Sequence, residues 1–450
     1  MPAPSALSLA EATEGGLPPE MHAAPSSPLR HHWASVLGGV LFARLFINHP
    51  IIVQTFAALL VPLALDMHVD RGSLSLALAG HLFCLGLVSP VYGYLIDKYG
   101  VRRVLVPCLL LTGLLLICVS AAPSLEVIIV LYLAMGLAGA AAAPTAWGKI
   151  VTSVIHKRRG LALSALSTTG GIGGALMPMA AAALIATVGW RATYVCLGVM
   201  MILGTVPILL AVTPRIVPQP THAGASSGSS FKRILAQRQF WAMVVPGAAI
   251  GVSGAGLAVH YIPMLLDRGM SLEQATAFNA LPNLVLVVTA LLFGYFLDRT
   301  RPARAGIALS YISAFGFLLL AFGEGLTVII GAALAGCAGG AEVGLIAYLC
   351  TRYFAPEDFG KVYGLAFFFW VVSQSVGAAA FGYGYTETGD YFVPLLASVG
   401  MLVLAPLALT QLGPYLYEGS AGSKADTAPS TESEITHAVE TPRPIRFAGE

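Results

Sequence analysis

The sequence predicts an all-α membrane protein of twelve transmembrane helices, and three observations lead there. Of its 450 residues, 57% are hydrophobic and 10% charged, far below the roughly 25% charged content of soluble domains, and the mean hydropathy is +0.79. Apolar runs long enough for the roughly 20 residues that cross a bilayer recur along the whole chain. Polar and helix-breaking residues separate those runs at regular intervals.

Taken in order, the first span lies near 34–64 and holds Arg44 and His49; the second, near 73–96, holds His81 and ends in "GYLIDKYGVRR". The third lies near 104–121 and the fourth near 126–152, with Pro144, Trp147 and Lys149 toward its end. "HKRRGLALS" opens the fifth, near 161–187, whose Gly170, Gly171, Gly173 and Gly174 would let neighbouring backbones approach closely. "GWRATY" opens the sixth, near 192–213. The seventh, near 239–264, carries His260 and Tyr261, and the eighth, near 273–296, contains "FNALPNL" with Asn279 and Asn283 and ends in "GYFLDRTRPAR". The ninth (304–322), tenth (327–352, with Glu342), eleventh (361–384) and twelfth (392–413) complete the set.

Residues 1–32 and 414–450 are rich in Pro, Ala, Ser and Glu and are expected to be disordered cytoplasmic tails. Residues 214–238, rich in Pro, Gly and Ser, are expected to form a cytoplasmic linker between an N-terminal six-helix bundle (33–213) and a C-terminal one (239–413). Lys98, Arg102, Arg103, Lys232, Arg299 and Arg304 fall in one set of connections, whereas the alternate set holds only Arg71, Arg191 and Arg268. The positive-inside rule makes the first set cytoplasmic and places both termini inside a bacterial inner membrane.

Composition also excludes functions. A net charge of +2 gives no footprint for nucleic acid. The six cysteines sit in apolar runs without metal-ligand spacing. No nucleophile–base pair or metal cluster suggests an enzyme, and no cofactor is expected.

Gly93, Tyr94, Asp97, Lys98 and Arg103 correspond to Gly294, Tyr295, Asp298, Arg299 and Arg304 at one constant offset, each set following the second span of its half. Such a repeat is expected of two homologous halves related by an axis along the membrane normal. The first copy resembles the signature loop of the major facilitator superfamily, Gly-x-Leu-x-Asp-(Arg/Lys)-x-Gly-x-(Arg/Lys)-(Arg/Lys); the second departs, with Arg301 and Pro302 in place of the Gly-x. "HKRRGLALS", "TTGGIGGALMP", "GWRATY", "GGAEVGLIAYLCTRYF" and "FGKVYGL", in that order, resemble the bacterial monocarboxylate transporter branch that includes oxalate/formate exchangers. The resemblance covers about residues 33–413 and implies the major facilitator fold: two pseudo-symmetric six-helix bundles that rock around a cavity lined by helices 1, 4, 7 and 10. It also implies gating by the signature loops, through Gly93, Asp97, Lys98, Gly100, Arg102 and Arg103 in the first half and Asp298, Arg299 and Arg304 in the second. Those contacts would latch the outward-facing state. Asp97 and Asp298 end their helices where the dipole disfavours an anion, so each needs an outside partner such as Arg102, Arg103 or another helix's N-terminus.

Of 24 Lys and Arg and 22 Asp and Glu, only Arg44, Lys149 and Glu342 fall well inside a span, where a charge costs about 2.5–3.5 kcal/mol by insertion scales. All three lie on helices that the resemblance assigns to the cavity. Arg44 lies roughly 16 Å deep at 1.5 Å per residue, and its guanidinium fork suits a substrate carboxylate; the plainer reading is a permanent ion pair with Glu342. Burial disfavours a charged carboxylate, so Glu342 is a candidate proton carrier, against a merely structural hydrogen bond. Lys149 is close enough to the inner end of its span to snorkel, and Trp147 is a candidate cavity wall.

His49, His81 and His260 fall in the outer halves of their spans, where an imidazole with an ordinary pKa of about 6.5 suits substrate or proton handling. A lone membrane histidine is more commonly a hydrogen-bonded packing residue. His49, His260 and Tyr261 join the substrate candidates, and His81 joins Glu342 for protons. The eighth span departs from several monocarboxylate carriers, offering Asn279 and Asn283 where those place an arginine. One central cation then favours a monoanion or a larger acid with an apolar body. The expected function is proton-coupled uptake of a small organic acid, monocarboxylate or aromatic, by a functional monomer in membrane lipid; the alternatives are efflux of an amphipathic compound and a non-transporting sensor.

Overall fold

The computed structural model describes residues 32–154, 159–212, 231–296, 302–355 and 358–417. Among the described residues, every regular element is a helix, as a bilayer demands of a chain that must satisfy its backbone polar groups internally. Eleven stretches are long and apolar enough to cross a membrane. One of them, Thr168–Val212, is 45 residues long, roughly 68 Å as a straight helix against a hydrocarbon core of about 30 Å. It breaks at Gly189, where φ is 77° and ψ 169°, a conformation open to a residue without Cβ. The chain therefore crosses twelve times.

We number the crossings α1 (Ser35–Met67), α2 (Arg71–Tyr99), α3 (Val101–Val119), α4 (Leu125–Val151), α5 (159–188), α6 (190–212), α7 (Arg238–Asp267), α8 (Leu272–Phe296), α9 (Pro302–Phe322), α10 (Leu326–Tyr353), α11 (Phe359–Thr388) and α12 (Phe392–Gln411). Their central windows are 72% buried in α1 and 67% in α7, against 33% in α3 and α12. The first two are thus the axial helices.

Several ends lie beyond the predicted ones. α2 begins on Asp70, whose carboxylate accepts the Ser73 N–H at 2.8 Å, and runs through Asp97 and Lys98 to Tyr99. Gly100, at φ 84°, then turns the chain straight into α3. "GYLIDKYGVRR" is therefore two helix ends meeting at one glycine rather than an open loop. Predicted linker residues Phe231–Leu235 form a short helix, and residues 213–230 lie outside the described residues. Within the predicted C-terminal tail, the Leu416 and Tyr417 N–H groups both donate to Arg352 O at the end of α10, so the first residues of the tail are docked.

Three crossings predicted as unbroken are interrupted in mid-membrane. α1 ends its regular turn at Arg44, passes through 45–48, makes a π-turn over His49–Gln54 and resumes at Thr55. α4 tightens to a 3-10 turn at Ala140–Ala142; Ala143 is extended (φ −56°, ψ 154°) and Pro144 restarts the helix, as a residue before proline prefers. α10 breaks at Gly336, where the Ser313 hydroxyl of α9 accepts Ala338 N–H at 2.8 Å and lies 3.1 Å from Ala335 O.

The two halves meet mainly along α2 with α11, α5 with α8 and α1 with α7. Gly171 and Gly174 of α5 sit against Asn283 of α8, where a Cβ would meet the facing chain. The ends of α4 and α10 nearest the Lys/Arg-rich connections, hereafter the basic side, pack within their own halves.

Candidate functional site

The π-turn of α1 turns His49, Val53 and Gln54 toward the second half, into a cavity of about 150 Å³. α7 supplies Ser253, α8 Asn279 and Asn283 one turn apart, α10 Glu342, and α11 Trp370 and Gln374 one turn apart. Leu257, Leu286, Phe317 and Leu402 make the walls largely apolar.

Buried polar atoms in folded proteins nearly always find partners. Here five, on residues that line one cavity, have none among the described residues: His49 Nδ1, Gln54 Oε1, Ser253 Oγ, Glu342 Oε1 and Trp370 Nε1. The Trp370 indole N–H faces the Glu342 carboxyl without closing a hydrogen bond. The asparagines are better satisfied. Gln54 Nε2 donates to Asn283 Oδ1 at 3.3 Å, Asn283 Nδ2 to Asn279 O at 2.9 Å, and Asn279 Nδ2 to Gly174 O at 3.4 Å, tying α1, α5 and α8 together at the cavity.

Arg44 stands at the break of α1, just before the π-turn that opens on His49. Its Nε donates to Thr169 Oγ1 at 3.0 Å, and its Nη1 is buried without a partner. Among the described residues no ion pair joins it to Glu342.

On the side opposite the basic connections the halves are sealed. Arg71 grips Asp267 at 2.6 and 2.7 Å, donates to Tyr391 Oη at 3.3 Å and lies 4.3 Å from the Tyr385 ring centre. Thr386 donates to Asp70 Oδ1 at 3.0 Å, and Ser375 to Ala79 O at 2.7 Å. Asp70, at the surface, has its carboxyl held below the ordinary 3.8, first by the Ser73 hydroxyl.

A profile of the Major Facilitator Superfamily matches residues 49–378. The chain belongs to the Major Facilitator Superfamily. As a superfamily member it is a multi-pass membrane transporter and not an enzyme. It is similar to a probable sulfoacetate transporter, SauU, of Cupriavidus necator, 22% identical over 413 residues, covering 83% of this chain and 91% of that one. It is also similar to the 4-hydroxybenzoate transporter PcaK of Pseudomonas putida, 24% identical over 427 residues, covering 83% and 92%. In fold it resembles the solved nucleoside transporter NupG, with a TM-score of 0.71 at 14% identity, covering 84% and 99%.

Within this transporter the predicted site residues separate. His49, Asn279, Asn283 and Glu342 converge on one cavity, with Arg44 next to it. The others do not reach it. Trp147 is fully buried in the first half and donates to Ala142 O at 3.1 Å, using its N–H on a carbonyl at the α4 break. Tyr261 packs in the core of the second half. His260 belongs to the seal: Nδ1 lies 3.3 Å from Tyr391 Oη, and Nε2 lies 3.1 Å from Ala378 O and 3.4 Å from Ser75 Oγ. His81 is buried between α2 and α4, 3.3 Å from Tyr132 O.

In the signature segment, Asp97 takes Lys149 of α4 as its partner, which replaces the expected Arg102, Arg103 or helix N-terminus. That ion pair lies within the first half. Lys98 lies 5.2 Å from the Tyr99 ring centre, and Arg102, Arg103 and Arg304 are exposed. Asp298 and Arg299 lie outside the described residues. Sequence reasoning missed Gln54, Ser253, Trp370 and Gln374, uncharged residues in apolar spans; the only trace was the Trp370–Gln374 spacing of one turn.

Proposed function

We propose that this protein takes up a small organic anion, an aromatic or short-chain acid, with protons across the bacterial inner membrane by alternating access. The observation that carries this reading is the set of five unpartnered polar atoms around one mid-membrane cavity, with an unpaired Arg44 Nη1 beside it. A guanidinium held by one hydroxyl keeps donors for a carboxylate, while the apolar walls accept the body of an acid. SauU and PcaK, named for a sulfonated acid and an aromatic acid, support the same class.

Charge bias supports a cytoplasmic basic side and cytoplasmic termini, so the sealed side faces the periplasm and the structure corresponds to an inward-facing state. In the outward state the Arg71 seal opens and substrate enters toward Arg44 and His49. Glu342 carries the proton: neutral when loaded, it can cross a low-dielectric interior with less penalty than a carboxylate. Rocking of the halves then exposes both to the cytoplasm, one monomer being a complete machine.

The test is thermal-shift screening of the purified protein against an organic-acid panel that includes 4-hydroxybenzoate and sulfoacetate, followed by proteoliposome uptake under an imposed pH gradient. Stabilisation and gradient-driven uptake that Arg44→Ala abolishes are expected. An apolar lining and neutral amides also fit export of an amphipathic compound; stabilisation by such compounds and by no acid would replace the uptake reading.

A further inference from the structure

Glu342 borders two spaces. One is the central cavity; the other is a separate pocket of about 10 Å³, the order of room that one water requires (about 10–15 Å³). The second pocket lies toward the basic side, between α7, α9, α10 and α12. Its lining includes Met243 near the start of α7, Gly306 near the start of α9, Leu349 near the end of α10 and Leu409 near the end of α12.

The unpartnered oxygen of Glu342 faces this pocket. A Cβ on Gly247, which lines the small pocket and not the central one, would stand 3.3 Å from Glu342 Oε1 and 3.0 Å from Ile346 Cδ1. The missing side chain at Gly247 therefore leaves space beside Oε1 that a methyl group would fill. Across the pocket, the Ser310 hydroxyl has given its proton to Gly306 O at 2.9 Å, which leaves its lone pairs to accept another. Among the described residues Glu342 is the only titratable side chain in the lining. A water here would have two polar partners, the minimum for a stable buried site.

We propose that this pocket holds one water that takes the proton from Glu342 toward the cytoplasm, by a route separate from the substrate cavity. The O–H bond of the neutral carboxyl breaks, the water accepts the proton as hydronium, the electron pair stays on the carboxylate, and the hydronium hands the proton to bulk water that enters from the basic side, becoming a neutral water again. The carboxylate is later reprotonated from the central cavity. Substrate and proton then leave by different doors, and an occupied cavity does not block proton release. Leu345, Leu349 and Leu409 form the apolar plug that this route must wet transiently.

The inference rests on Glu342 being the proton carrier, and the experiment separates the two claims. In the full-length protein in lipid nanodiscs, infrared spectroscopy follows the carboxylic C=O band that Glu342→Gln removes, and its downshift after exchange of H2O for D2O. In Gly247→Ala, where a helix-favouring methyl covers Oε1, and in Ser310→Ala, which removes the second partner, the downshift is expected to be at least about tenfold slower than in wild type. A Glu342 band that shifts within twofold of the wild-type rate in both variants overturns the pocket route alone. Absence of any such band in wild type at neutral pH overturns the proton-carrier reading, and the route with it.

Discussion

Arg71 and Asp267 join the start of α2 to the end of α7 through two parallel N–H···O contacts of 2.6 and 2.7 Å. One residue belongs to each half, so the pair is a clasp across the seam that has to part before the cavity can open to the far side. The side chains are partly exposed, 14% and 33%, which limits the clasp to about 1 kcal/mol. That corresponds to roughly a fivefold change in the balance between the two states. Asp267→Asn should raise labelling of Ala79→Cys by a membrane-impermeant maleimide added on that side several-fold; an unchanged labelling rate would show that the pair does not hold the seam.

Arg44→Ala should reduce uptake of any acid that stabilises the wild type by about a hundredfold or more, the loss expected when a desolvated carboxylate forfeits its cation. Arg44→Lys should recover little of it, because an ammonium does not reproduce the planar fork. The melting temperature should be no lower in Arg44→Ala, since a buried cation with no carboxylate partner among the described residues is removed. Wild-type uptake rates in Arg44→Ala would refute the carboxylate role.

Glu342→Gln should abolish accumulation driven by a pH gradient and leave exchange of internal for external substrate within about twofold of wild type. The amide keeps the size of the carboxyl but cannot release a proton. Accumulation that still follows the pH gradient would remove Glu342 from the coupling.

The surface carboxylate Asp70 provides a pH test of the seal. Its folded value lies below the ordinary 3.8 because the Ser73 hydroxyl and N–H and the Thr386 hydroxyl favour the charged form. A depressed value contributes stability that is fully present above the unfolded value and lost as pH falls through the folded one. The difference in melting temperature between wild type and Asp70→Ala should therefore stay constant from pH 5 to pH 8 and shrink only below about pH 4. A difference that changes between pH 5 and pH 8 would place the titrating group elsewhere.

Much of the candidate site's position is legible in the sequence because charge in an apolar span is costly enough to be informative. Arg44 and Glu342 were found that way, and Asn279 and Asn283 by their place in a span that lacked the expected arginine. Depth in the membrane does not by itself set the role of a histidine or an aromatic. His260 and Trp147 lie on helices assigned to the cavity, yet their ring nitrogens serve the seal and the α4 break. Which face of a helix meets the cavity depends on its rotation and its neighbours.

The sequence by itself determined the solvent, the crossings and the repeat. Backbone groups in hydrocarbon must bond within their own helix, so each span is written locally in some twenty apolar residues, and the duplicated "GYLIDKYGVRR" registers the halves. Only the tertiary structure decided where the helices break, that Asp97 pairs with Lys149, that Arg71 clasps Asp267, and that five residues with unpartnered polar atoms line one cavity. Those features join residues dozens to hundreds of positions apart, and their energies come from close packing and partner geometry that no local stretch of sequence contains.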